Sequence, residues 1–196
     1  MDIILASASP RRAELLRQAG LTFRVVPSQV DEGTPAKPWV QWVQDAARAK
    51  ALSLSPGAGE VVLAADTVVV LEDRVLGKPA DAREAAAMLE LLSGKVHEVM
   101  TGVCAVHRTG KGQKGVNIYL GVEITKVFFR NLTAQEISAY AATAEPLDKA
   151  GAYGIQGLGA LLVERIEGCY FNVVGLPLVK TMQLLRRCGV AVLGDR

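Results

Sequence analysis

Aromatic residues are scarce in this 196-residue chain, at 5%. A nucleic-acid surface built on many stacking rings is therefore excluded. Charge of one sign is not in excess either. The 22 Lys and Arg against 20 Asp and Glu leave a net charge of +2, too balanced for a protein whose main task is to coat nucleic acid or an anionic membrane. Only three cysteines occur, Cys104, Cys169 and Cys188, far apart and without a C-x-x-C pair. That argues against a disulfide framework and a cysteine zinc site, and makes the three read as small core residues. The two histidines, His97 and His107, are too few for a histidine-rich metal site. They alternate with apolar residues and read as sheet or surface positions. Long apolar runs are missing as well. The longest charge-free stretch, between Lys149 and Glu164, is short of a membrane span and rich in Gly. The N-terminus carries Asp2 where a signal peptide wants a base. The expectation is a cytoplasmic protein without membrane or nucleic-acid partners.

What is present is an ordinary globular composition, 50% hydrophobic and 21% charged, in a length that suits one domain. Apolar Ile3 to Ala6 reads as a strand, and Ser9-Pro10 as an N-cap and first helical residue. Gly20 closes that helix. Phe23 to Val26 reads as a strand and Val40 to Leu54 as a helix. Val61 to Leu71 is a nearly continuous apolar run, as expected of a strand covered on both faces. Asp81 to Glu84 and Thr133 to Glu136 carry capping-box patterns ahead of two further helices. Val96 to Val106 and Ile118 to Phe129 read as an antiparallel pair joined by a Gly/Lys loop. Gly175-Leu176-Pro177 opens a last helix that Gly189 closes. Strands and helices alternate in the first half, so the class is α/β, and the antiparallel pair makes its sheet mixed rather than purely parallel. The whole of 1–196 reads as a single domain, any smaller lobe falling within about 80–145.

Several segments carry chemistry. Ser7-Ala8-Ser9-Pro10-Arg11-Arg12 lies where a strand hands over to a helix. Unpaired N–H groups, the positive helix end, two hydroxyls and two guanidiniums make an anion site suited to phosphate. The plainer alternative is a good cap followed by two solvated arginines. It is no Walker loop. The residues five before the glycine of Gly77-Lys78, Gly94-Lys95 and Gly110-Lys111 are Glu72, Leu89 and Ala105. Nor is there a G-x-S-x-G elbow. Asp66 stands in Leu63-Ala64-Ala65-Asp66-Thr67-Val68-Val69. A buried carboxylate there must be paired, metal-bound or at a cleft, or else satisfied by backbone amides. Strict alternation puts Asp66 and Thr67 on opposite faces unless the strand bulges or ends there. Asp31-Glu32 offers oxygen ligands for Mg²⁺. Lys78 is a loop cation held extended by Pro79. From Gly151 to Gly157 a glycine recurs every third residue, with Gln156 offering a donor and an acceptor among them.

Taken together, these segments resemble the Maf-like nucleoside triphosphate pyrophosphatases. The carrying residues are Ala6 to Arg12, Asp31-Glu32, Ala49-Lys50-Ala51, Ala65 to Val69 and Gly77-Lys78-Pro79. Ser93-Gly94 through Thr101-Gly102, Glu145-Pro146 through Gly159-Ala160, and Val174 to Pro177 complete the set. They run in the family's order over nearly the whole chain. The resemblance implies a twisted, mixed central sheet flanked by helices, in two lobes with a cleft between them (an inosine triphosphatase-like fold), and often a homodimer. It implies hydrolysis of the α–β phosphoanhydride of a nucleoside triphosphate with a divalent metal, Mg²⁺ or Mn²⁺. The branch indicated is the dTTP/UTP pyrophosphatases, which limit incorporation of non-standard nucleotides and have been linked to arrest of cell division. By resemblance, Asp66 is the proton acceptor, and Arg11, Thr67 and Gln156 set substrate specificity. Ser7, Arg12, Lys50 and Lys78 hold phosphates, and Glu32 and Asp66 hold the metal. Whether Asp66 acts mainly as base or as ligand stays open. A 7-methyl-GTP pyrophosphatase and a non-catalytic nucleotide-binding regulator of septum formation are the alternatives. The loop Arg108 to Gly115 is longer than the resemblance leads one to expect.

Overall fold

A computed structural model describes residues 1–31, 33–108 and 115–194. The chain runs β1 (Asp2–Leu5), α1 (Pro10–Gln18), β2 (Phe23–Val25), α2 (Trp39–Leu52), β3 (Glu60–Leu71), β4 (Arg74–Leu76) and α3 (Ala82–Leu92). It continues with β5 (Val96–Arg108), β6 (Val116–Phe129), α4 (Ala134–Ala141), β7 (Val163–Glu167), α5 (Tyr170–Val174) and α6 (Leu178–Arg187). The strands form a seven-stranded sheet in the order β2-β1-β3-β5-β6-β7, with β4 paired to β3. β1 is parallel to β2 and to β3, whereas β3–β4 and β6–β7 are antiparallel. The sheet is thus mixed, as the class read from the sequence has it. β5 and β6 are neighbours. The loop expected to join them lies mostly outside the described residues.

The chain divides into two compact units, 1–66 with 101–123 and 175–196, and 67–100 with 124–174. The first is built on parallel pairing. Ile4, Ala6, Val62, Ala64, Cys104 and Val106 pack with Ala47 and Ala51 of α2. Small residues on that helix let it lie close to the sheet. At Gly102 the approach is closest: a Cβ there would stand 2.2 Å from the Val43 carbonyl oxygen. The second unit packs α3 and α4, through Leu89, Leu92, Ile137 and Tyr140, with Val69, Val99, Val127 and Phe129 of the strands. His97 sits in this core, its Nε2 2.7 Å from the Tyr153 hydroxyl and its ring edge-on to Phe129.

The helix signals in the sequence correspond to real caps. Asp81 accepts from the N–H groups of Arg83 and Glu84, both at 2.9 Å. Thr133 and Glu136 form a reciprocal capping box. Ser9 is a partial exception. It occupies the cap position of α1, but its side chain makes no cap bond; instead its N–H donates to Ser7 Oγ at 3.3 Å. Three short elements, β4, β7 and α5, are additions to the sequence reading. Cys104 and Cys188 are buried, as expected of core residues, and Cys169 is half-buried. Burial pushes the thiols of Cys104 and Cys188 up, to about 12 and about 11. No helix is long and apolar enough to cross a membrane among the described residues.

Candidate functional site

Most of the residues singled out in the sequence fall in the first unit. β1 delivers Ser7 just past its end, and α1 presents Arg11 and Arg12 in its first turn. Lys50 projects from the last turn of α2, and Asp66 is the seventh residue of β3. Parallel pairing of Leu5 with Leu63 sets the Ser7 turn beside the stretch of β3 that leads to Asp66.

Asp66 is 4% exposed and Lys50 8%. Their Oδ1 and Nζ atoms are 2.5 Å apart. Of the states open to a buried carboxylate, this is the paired one. Neither charge is tolerable in such a setting without the other. The lysine, sixteen residues earlier on a different element, gives no local sign in the sequence that it is Asp66's partner. β3 does not end at Asp66 but runs on through Thr67 to Leu71.

Arg12 does more than the sequence suggests. Its Nε donates to the Gly175 carbonyl at 2.9 Å, and its Nη1 to the Ala65 carbonyl at 2.7 Å and to Ser7 Oγ at 3.1 Å. One guanidinium therefore ties the turn after β1, the residue before Asp66 and the entrance to α6. Gly175, at φ +125°, holds a backbone geometry that only glycine adopts without strain. Ser7 Oγ accepts from both Ser9 N–H and Arg12. A hydroxyl has two acceptor sites and one donor, so both acceptor sites of Ser7 Oγ are used and its O–H is a donor. Arg12 is partly committed to protein acceptors, while Arg11 stands beside it, half-buried.

The other three candidates belong to the second unit. Thr67 follows Asp66 in β3 and is half-buried. Lys78 is exposed in the loop after β4. Gln156 is exposed within the glycine-rich segment. A backbone bond from Gly151 N–H to the Gly77 carbonyl, 3.0 Å, joins the Lys78 loop to that segment. Glu32 lies outside the described residues.

The donor set bears on a metal. Among the described residues no three His, Cys, Asp or Glu side chains gather into a cage. Asp66 is a hard oxygen donor beside an ammonium. Such a site fits a cation of the Mg²⁺ kind, which takes one or two carboxylates and completes its shell with water and substrate phosphates. It does not suit a zinc-type centre.

Known proteins place the chain. The family model described as "Maf-like protein" matches residues 2–188. A protein of Moorella thermoacetica named dTTP/UTP pyrophosphatase is 54% identical, over 98% of this chain and 97% of its own length. Proteins of the same name from a Geobacillus species and from Carboxydothermus hydrogenoformans are 51% and 48% identical, over 98% and 100% of their lengths and 96% of this chain. Among solved structures, a HAM1 protein from Coxiella burnetii matches at 16% identity and a TM-score of 0.46, over 81% of this chain and 78% of its own. The chain belongs to the Maf-like protein family.

Proposed function

We propose that the protein is a dTTP/UTP pyrophosphatase, which hydrolyses the bond between the α and β phosphates. The observation that carries the reading is the buried Lys50–Asp66 pair, set beside the Ser7–Arg12 turn. A buried carboxylate in direct contact with a lysine amine is a candidate proton acceptor in a water-poor place. A turn with an available hydroxyl, a helix N-terminus and a guanidinium is a phosphate seat. The likeness to proteins named for this activity, 54% and 51% identical over nearly the whole chain, supports the same conclusion.

In this reading Asp66 takes a proton from a water molecule as the water oxygen bonds to the α phosphorus. The bond from that phosphorus to the α–β bridging oxygen breaks, and pyrophosphate leaves with the electron pair. Lys50 stabilises the negative charge shared by Asp66 and the reacting phosphate. Ser7 and Arg11 receive phosphate oxygens at the N-terminus of α1. Arg12 keeps the turn in place and contributes charge, and Lys78 adds a further cation. Asp66 and Glu32 would hold a Mg²⁺ or Mn²⁺ ion, whose chemistry when bound would be to neutralise phosphate charge and polarise the phosphoryl group. Arg11, Thr67 and Gln156 select the nucleotide. The Gln156 amide has one donor and one acceptor face to offer a pyrimidine's N–H and carbonyl edge.

The test is pyrophosphate release from dTTP, UTP, CTP, ATP, GTP and 7-methyl-GTP, with Mg²⁺ or Mn²⁺ and again with a chelator. Metal-dependent turnover of dTTP and UTP is expected, falling roughly 10²–10⁴-fold in Asp66→Asn. A preference for 7-methyl-GTP would overturn the substrate assignment, and no release from any nucleotide would overturn the enzyme itself.

A further inference from the structure

The segment from Glu145 to Gly159 closes on its own first residue. The Glu145 carboxylate accepts Leu158 N–H on Oε1 at 3.0 Å and Gly159 N–H on Oε2 at 3.2 Å. Tyr140, in the last turn of α4, accepts Gly154 N–H at 3.3 Å and donates its O–H in a hydrogen bond to the Glu145 carboxylate. Lys149 Nζ donates to the Glu145 carbonyl at 2.6 Å. The glycines are fitted to this arrangement. A Cβ at Gly157, whose φ is +64°, would stand 2.5 Å from Glu145 Oε1. One at Gly159 would stand 2.1 Å from the Gly154 carbonyl oxygen.

Gln156 lies between these fixed points. On one side Gly154 is bonded to Tyr140 and Ile155 is buried at 8% exposure. On the other, Leu158 and Gly159 are bonded to Glu145. The Gln156 side chain itself is exposed. A side chain that must read a base by two directional hydrogen bonds loses selectivity if its backbone wanders, because ordering it then costs entropy on each binding event. Charge-assisted bonds to two consecutive N–H groups are a strong way to prevent that.

We propose that Glu145 is a positioning residue for Gln156, and so a determinant of nucleotide selectivity that never touches the nucleotide. The inference rests on the reading of Gln156 as the base-selecting residue. Burial alone would raise the Glu145 carboxyl. The N–H groups of Leu158 and Gly159, the Tyr140 hydroxyl and the Lys149 charge outweigh it, and the group lies below its ordinary range. It is therefore ionised, as the clamp requires. Glu145→Gln keeps the length but turns an N–H donor toward one of the two backbone N–H groups.

The experiment compares kcat and KM for UTP and CTP, which differ on the edge Gln156 would read, in wild type, Glu145→Gln, Gln156→Ala and the double variant. Glu145→Gln is expected to lower the UTP-over-CTP preference about tenfold, mainly through KM for UTP. In the Gln156→Ala background it is expected to lower it no further. If Gln156→Ala loses the preference and Glu145→Gln keeps it, the positioning role is overturned while the reading of Gln156 stands. If Gln156→Ala keeps the preference, that reading fails and takes the proposal with it. An equal loss from Glu145→Gln in both backgrounds would also overturn it, since Glu145 would then act by another route. Amide exchange in the wild type needs no variant to fold. Slow exchange at Leu158 and Gly159 supports the clamp, and free exchange there overturns it.

Discussion

His97 shows how burial fixes the behaviour of a single group. Its ring is 1% exposed, Nε2 meets the Tyr153 hydroxyl, and Nδ1 has no hydrogen-bond partner among the described residues. Burial lowers its pKa to about 4. The unfolded chain takes up that proton near pH 6.5, the folded one only near 4, so in between acid favours unfolding. Stability is complete above about pH 6.5 and falls as the pH drops toward 4. Wild type is expected to lose about 2 kcal/mol between pH 7 and pH 5 from this group. His97→Gln should show a flatter profile, read from urea midpoints at the two pH values. Reading His97 as a sheet residue was available from its alternation with apolar neighbours. Its depth and its tyrosine partner were not, because Tyr153 is 56 residues away in the chain. The same holds for Asp66: its setting marks it as special, but Lys50 can be named as its partner only once α2 lies against β3.

At the scale of elements, local chemistry was the most legible. Side-chain caps mark α3 and α4, and closing glycines mark α1 and α6, because the groups that satisfy a helix end are neighbours in sequence. Elements with weak local signals escaped. β7 carries Glu164, Arg165 and Glu167 among five residues, a composition that reads as loop yet suits a sheet edge guarded against further pairing. α5 has five residues, too few for a helical period to emerge. Packing demands are hidden too. Gly102 in β5 looks like a residue that weakens a strand. In the structure it is the place where the sheet admits the α2 backbone. Gly102→Ala is expected to destabilise the protein by about 1–3 kcal/mol, since neither backbone can yield cheaply. Chemical denaturation would measure it, and an unchanged midpoint would mean that α2 shifts freely.

Across the whole molecule, the class followed from the order of elements, the mixed sheet from the expected hairpin, and the family from motifs spread over nearly the full length. The candidate site was legible as a set of residues but not as an arrangement. Ser7, Arg12, Lys50 and Asp66 are each recognisable in sequence, yet Arg12 turns out to brace the turn, β3 and Gly175 at once. That bracing depends on a residue 163 positions downstream, beyond any local pattern.

The three thiols, unremarkable as packing, have a practical consequence. At pH 8 a group with a pKa of about 11 or 12 is thiolate in on the order of one molecule in a thousand or fewer. Buried as well, Cys104 and Cys188 are expected to be silent toward maleimides and disulfide reagents in the native state. Cys169 is left as the single address, so a thiol titration of the folded protein should count one equivalent, rising to three in denaturant. A fluorophore or cross-linker can then be placed on the unaltered chain without removing a cysteine first.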